Sequence, residues 1–217
     1  VQRTFENITA FDEKQFGFSH NRTWASMSGA LQGHFDPDAV ARSFLNSKVP
    51  VRVQKCIVAL CRLGLAHPRQ TMRFADFPEA GLKSVRSIDW DPEVQVRVKA
   101  TCWYIENGRV ILPVLQPRKQ ALELERLSIY VELVRLAYCQ GDWIDAIPQL
   151  IDLSGDELEV SARPIATSTL PTVSDKRMSE YVQTFIQAKK LADESRALKP
   201  KRPAKTTNED LFDPERQ

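Results

Sequence analysis

Lys48, Arg52, Lys55 and Arg62 crowd one short window of the sequence, beside Gln54, and Lys199, Lys201, Arg202 and Lys205 crowd a second near its C-terminal end. Cations at that density suit phosphate contact, because each neutralised phosphate releases condensed counterions whatever the base sequence. Cys56, Cys61, Cys102 and Cys139 are the strongest nucleophiles, but no C-x-x-C occurs and only His20, His34 and His67 accompany them. Zinc-ligand spacing is therefore missing. No Ser or Cys near His20 or His34 forms a nucleophile elbow, and each His is expected to be a lone surface residue. Eight Gly, none clustered, leave no phosphate-cradling loop. The cysteines read as buried free thiols in a reducing compartment. No cofactor or metal is expected.

The elements that must position these groups follow from periodicity and caps. Arg22 to Leu31 reads as a short helix ending near Gly33. "FDPDAVARSFLNS" opens a second helix, with Asp36 as N-cap and Pro37 in the first turn, where its missing N–H costs nothing. A third covers residues 50–63, with Val53, Ile57, Leu60 and Cys61 on one stripe and Gly64 as its C-terminal cap. Residues 66–93 read as loop, with a further short helix considered at 78–86. Residues 94–105 alternate strictly, as a strand with one buried face does. Asn107-Gly108 then predicts a type I′ hairpin turn. The return strand, "RVILPVLQ", is apolar on both faces and so internal to its sheet. Pro113 implies a bulge or a locally unpaired edge there. A helix is expected over 121–139, then a strand at "AIPQLIDLS" beside the hairpin, with the helix as crossover. Gly155-Asp156 turns the chain into a hairpin partner, and a last helix spans 174–196, capped by Ser174 or Asp175.

The fold class is therefore α/β (α+β): a helical N-terminal part, a mixed β-sheet core of hairpins flanked by helices, and a disordered C-terminal tail. The expected division is a helical region at 1–93, an α/β core at 94–197 and the tail at 198–217. With Lys/Arg 30 and Asp/Glu 28, the net charge is only +2, so nothing demands a polyanionic partner globally. No apolar run approaches the roughly 20 residues of a membrane span, and a cytoplasmic location is the expectation. The chain opens on Val1, which reads as the start of a fragment or a processed chain.

The order strand–turn–strand–helix–strand over 94–190, with "CWYIENGRVILPVLQPRKQALELERLSIY" at its centre, resembles the core of the PD-(D/E)XK nucleases, in particular the RecB-like exonuclease branch. That resemblance implies an Asp on the first hairpin strand, an Asp/Glu-x-Lys on the second, and a helix opening with Gln-x-x-x-Tyr. Two carboxylates would hold Mg²⁺, and the lysine would stabilise charge on the phosphate. Aligned on this sequence, the first Asp falls at Thr101 or Cys102, the second acid at Val114 and the lysine at Gln116. Arg126 replaces the helix Gln, and Tyr130 matches the Tyr. The scaffold fits, and the catalytic set does not.

The helices at 37–47 and 50–63 look like the middle of a winged helix-turn-helix domain, whose second helix enters the major groove; Lys48, Arg52, Lys55 and Arg62 would then contact nucleic acid. In the tail, Leu211 and Phe212 stand in a polar setting, as docking peptides often do. "NEDLF" loosely resembles the bacterial sliding-clamp-binding pentapeptide. The functional expectation is a non-catalytic DNA-binding accessory protein on a nuclease-like scaffold. Two alternatives stay open: a protein-interaction module of a mobile element or phage, and a metal-dependent DNA nuclease whose carboxylates have migrated.

Overall fold

The computed structural model describes residue 2 and residues 20–77, 83–92, 94–156 and 160–198. Phe16–Val182 form one compact unit, and Val1–Gln15 with Gln183–Gln217 form a second. The boundary expected near residue 93 is thus not a boundary between bodies. Met27, Leu31, Val53 and Leu60 from the helical part share a core with Cys102, Leu115 and Ile151 from the sheet.

The larger unit opens with three helices, α1 (Asn21–Leu31), α2 (Pro37–Ser43) and α3 (Val51–Ala66). Asp36 caps α2 by accepting from the backbone N–H groups of Asp38 and Ala39 at 3.1 and 3.3 Å. This satisfies donors that the first turn leaves orphaned. α3 runs past Gly64, which is no cap. Gly64 lies in the α1–α3 crossing, where a β-carbon would stand 1.9 Å from the Ala30 carbonyl oxygen. A hydrogen for a side chain is what lets the two backbones approach.

Among the described residues seven strands follow: β1 (Met72–Arg73), β2 (Val85–Asp91), β3 (Val94–Lys99), β4 (Cys102–Glu106), β5 (Arg109–Gln116), β6 (Ile147–Asp152) and β7 (Arg163–Ile165). Five form a mixed sheet in the order β1-β4-β5-β6-β7, and β2 and β3 pair as a separate ribbon. The single strand expected over 94–105 therefore divides. Ala100 N–H donates to the Ser84 carbonyl at 3.0 Å, and the Thr101 carbonyl accepts from Phe74 N–H at 3.3 Å. Those bonds capture the chain where it leaves one sheet for the other. The helix considered at 78–86 is replaced by β2 from Val85 onward; residues 78–82 lie outside the described residues.

The Asn107-Gly108 turn has positive φ at both positions, 51° and 74°, as a type I′ hairpin requires. β5 is the central strand, buried from Ile111 to Gln116. It pairs antiparallel with β4 as far as Ile111 and parallel with β6 from Ile111 to Gln116. Pro113 lies beyond the end of the β4 ladder, so its missing N–H breaks no bond on that side. Helix α4 (Leu124–Tyr138) makes the crossover from β5 to β6. One sheet face packs Cys102, Leu115, Ile151 and Leu153 on α1 and α3. The other packs Leu112, Val114 and Leu150 on Leu127, Val131 and Val134 of α4. Each such fully buried aliphatic side chain contributes about 1.5–3 kcal/mol.

Helix α5 (Asp175–Leu198) begins with Ser174 Oγ accepting from Arg177 N–H at 3.2 Å. In its first turns Arg177 Nε lies 2.9 Å from Glu125 Oε1 at the start of α4. Its residues from Gln183 onward belong to the smaller unit, where Lys189 and Asp193 pair at 3.3 Å. Cys56, Cys61 and Cys102 are buried and Cys139 half-buried, all as free thiols. No helix among the described residues is long and apolar enough to cross a membrane.

Candidate nucleic-acid interface

Arg52 is not the surface cation expected of a recognition helix. It sits in the first turn of α3 and is 5% exposed. Its Nη1 donates to the Gly155 carbonyl at 2.9 Å, and its Nη2 to the carbonyls of Arg118, at 3.1 Å, and Leu153. The guanidinium thus ties the connector after β5 and the connector after β6 to α3. A buried charge needs such partners, since desolvation without them costs several kcal/mol, roughly. Val53, Cys56, Ile57, Ala59, Leu60, Cys61, Leu63 and Gly64 are buried with it. What remains of α3 for solvent is a narrow face.

That face carries the other expected cations. Lys55 and Arg62 are two turns apart, about 10 Å along the axis, and Lys48 is exposed just before the helix. Lys55 and Arg62 line a cleft of ≈ 680 Å³ with Gln54, Ser154, Ser161 and Arg163. Nothing in the sequence marked Arg163; it reaches the cleft because β7 folds back on β6. Its Nη2 lies 2.6 Å from Asp152 Oδ2 and 2.9 Å from Ser154 Oγ. No carboxylate lines the cleft among the described residues. In the adjoining connector, Asp156 is exposed and 157–159 lie outside the described residues.

The nuclease-like positions separate. Cys102 faces the α1–α3 side of the sheet, and burial pushes its thiol up to about 12. Val114 is fully buried beneath α4. Gln116 is buried as well, with its Oε1 accepting from Arg118 N–H at 2.6 Å and its Nε2 donating to the Gln120 carbonyl at 3.2 Å. That side chain folds the β5–α4 connector back on itself, a structural task in place of a catalytic lysine's. Arg126 and Tyr130 line one cavity with Gln116, which Cys102 and Val114 do not. The acid beside this position is Asp152, paired with Gln116 across the parallel strands. Its Oδ1 accepts from Ser154 N–H at 2.9 Å, and its Oδ2 accepts from Ser154 Oγ and from Arg163. Among the described residues, no three His, Cys, Asp or Glu side chains converge as a metal-ligand group.

His34 and His67 are exposed, as expected of lone surface histidines, but His20 is half-buried. Burial, and then the nearby Arg52 charge, hold its pKa below the ordinary value. The tail cations Lys199, Lys201, Arg202 and Lys205, and the docking pair Leu211 and Phe212, lie outside the described residues. Compared with known protein families and with curated proteins, the chain matches none.

Proposed function

We propose that this chain is a non-catalytic nucleic-acid-binding accessory protein, built on a scaffold like that of the PD-(D/E)XK nucleases without their metal site. The observation that carries the reading is the cleft between α3 and β7, with Lys55, Arg62 and Arg163 among its lining and no described carboxylate there. Guanidinium and ammonium groups beside Gln54, Ser154 and Ser161 are the groups that phosphate oxygens select. Val114 and Gln116 stand where an acid and a lysine would act, and both are committed to packing or to the connector. Asp156, exposed in the connector beside the cleft, opposes a polyanion, so binding is moderate and strongly salt-sensitive.

Fluorescence anisotropy with labelled duplex and single-stranded DNA at low salt tests the reading. Binding is expected for the native chain and at least about tenfold weaker for the double variant Lys55→Glu, Arg62→Glu, at one half-buried and one exposed position of α3. An unaltered melting temperature shows that this variant folds. Absence of binding at low salt, or equal affinity in the variant, contradicts the proposal. Mg²⁺- or Mn²⁺-dependent loss of the DNA would contradict its non-catalytic part.

A further inference from the structure

The cavity at the carboxyl end of β5 is separate from the cationic cleft and shares no residue with it. Its volume is ≈ 430 Å³, and Trp24, Gln116, Arg118, Leu122, Arg126 and Tyr130 line it. That size falls within the range of small-ligand pockets, about 300–1,000 Å³. Crevices outside the carboxyl ends of parallel strands are also where open α/β sheets hold ligands.

The lining joins two chemistries. Trp24 of α1 and Tyr130 of α4 offer aromatic surface, and Leu122 adds an apolar wall. Tyr130 is held well above the ordinary tyrosine range by burial, so it remains a neutral hydroxyl, a donor that can serve a ring nitrogen or carbonyl. Arg118 and Arg126 supply two guanidinium groups. Arg126 pairs loosely with the exposed Glu123, at 3.6 Å, and its charge also acts on Glu125. Beneath the connector, Arg52 Nη2 holds the Arg118 carbonyl, and Arg52 Nε is buried with no hydrogen-bond partner among the described residues. The cavity lining therefore combines two guanidinium groups, the polar Gln116 and aromatic and apolar walls. A simple anion would leave the aromatic walls unused, and an uncharged apolar ligand would leave the arginines unused. A planar ring carrying a phosphate uses both, since bases stack on aromatic faces and phosphate takes forked guanidinium bonds.

We propose that this cavity binds a single nucleotide, its base against Trp24 and Tyr130 and its phosphate on Arg118 and Arg126. Such a nucleotide is either free or the unpaired end of a strand. The assignment stands without the cationic cleft, because different residues carry it.

Tryptophan fluorescence of the full chain, titrated with nucleoside 5′-monophosphates, nucleosides, inorganic phosphate and a short 5′-phosphorylated single strand, tests it. The monophosphate is expected to quench saturably, and Trp24→Phe to abolish that change while Trp103 and Trp143 still report. Arg118→Ala and Arg126→Ala, at exposed side chains, are each expected to weaken binding about tenfold, with thermal melts confirming folding. Lys55→Ala and Arg62→Ala leave it unchanged, which separates failure of this site from failure of the cleft. A strand that binds more tightly than the monophosphate identifies a strand end as the ligand, and equal affinity identifies a free nucleotide. No quenching by monophosphate or strand, displacement by equimolar inorganic phosphate, or native affinity in the arginine variants overturns the proposal.

Discussion

Arg52 and Arg62 lie on one helix with opposite fates, and the difference is the number of carbonyls within reach. Three carbonyl oxygens surround the Arg52 guanidinium, while Arg62 stays exposed along the cleft. Arg52→Met should therefore cost about 3 kcal/mol or more in urea unfolding, because it strands buried acceptors. Arg62→Ala should stay within about 0.5 kcal/mol of the native chain. The thiols give a second residue-scale expectation. Burial raises all four, with Cys102 at about 12 and Cys139 at about 11. A thiol-specific reagent at neutral pH should then label the native chain slowly and the urea-unfolded chain fast, since only the thiolate reacts. His20 gives a third. Its folded pKa is lowered from 6.5, so the stability linked to its neutral form is complete above pH 6.5. That stability is lost as the pH falls through the lower folded value. The melting temperature should drop on acidification across that window, and His20→Gln should flatten the drop.

Among elements, the α1–α3 crossing and the α4 crossover fix where the cleft and the cavity lie. Gly64→Ala places a β-carbon 1.9 Å from Ala30 O, and the backbone on both sides leaves no flexible group to yield. About 3 kcal/mol of destabilisation or more is expected in chemical denaturation, at the upper end of overpacking costs. Helix spans, the type I′ hairpin and the parallel β5–β6 pair were legible in the sequence, because caps, alternation and apolar runs are local signals. The break at Ala100 was not. It depends on Tyr138, whose hydroxyl donates to the Ser84 carbonyl at 2.7 Å and accepts from Ala100 N–H at 3.1 Å. Strand β2 was hidden for a related reason: Arg86 occupies a half-buried position, with its guanidinium 4.9 Å from the Tyr138 ring centroid. An arginine stem covering an aromatic ring reads as polar in any alternation count. Gly64 looked like a cap for want of any sequence sign that another helix crosses there.

Across the whole molecule, a net charge of +2 gives no general attraction to a polyanion, so any such binding must come from local arrangement. Lys55 and Arg62 were legible as members of one cation set with Lys48 and Arg52, and only the fold shows that those two line the cleft while Arg52 is buried. Arg163 was not legible, since its place in the cleft comes from the β6–β7 return. The cavity residues Trp24, Arg118 and Tyr130 come from three separate elements, and only the folded chain joins them. The most direct test of the central claim is the salt dependence of DNA affinity. With Arg163 already paired to Asp152, two phosphate contacts through Lys55 and Arg62 predict a slope of log K against log salt of about −1.8 on duplex DNA, at about −0.9 per contact. Arg62→Ala should reduce it by roughly one contact's worth. A slope near zero, or one that Arg62→Ala leaves unchanged, would contradict phosphate binding in the cleft.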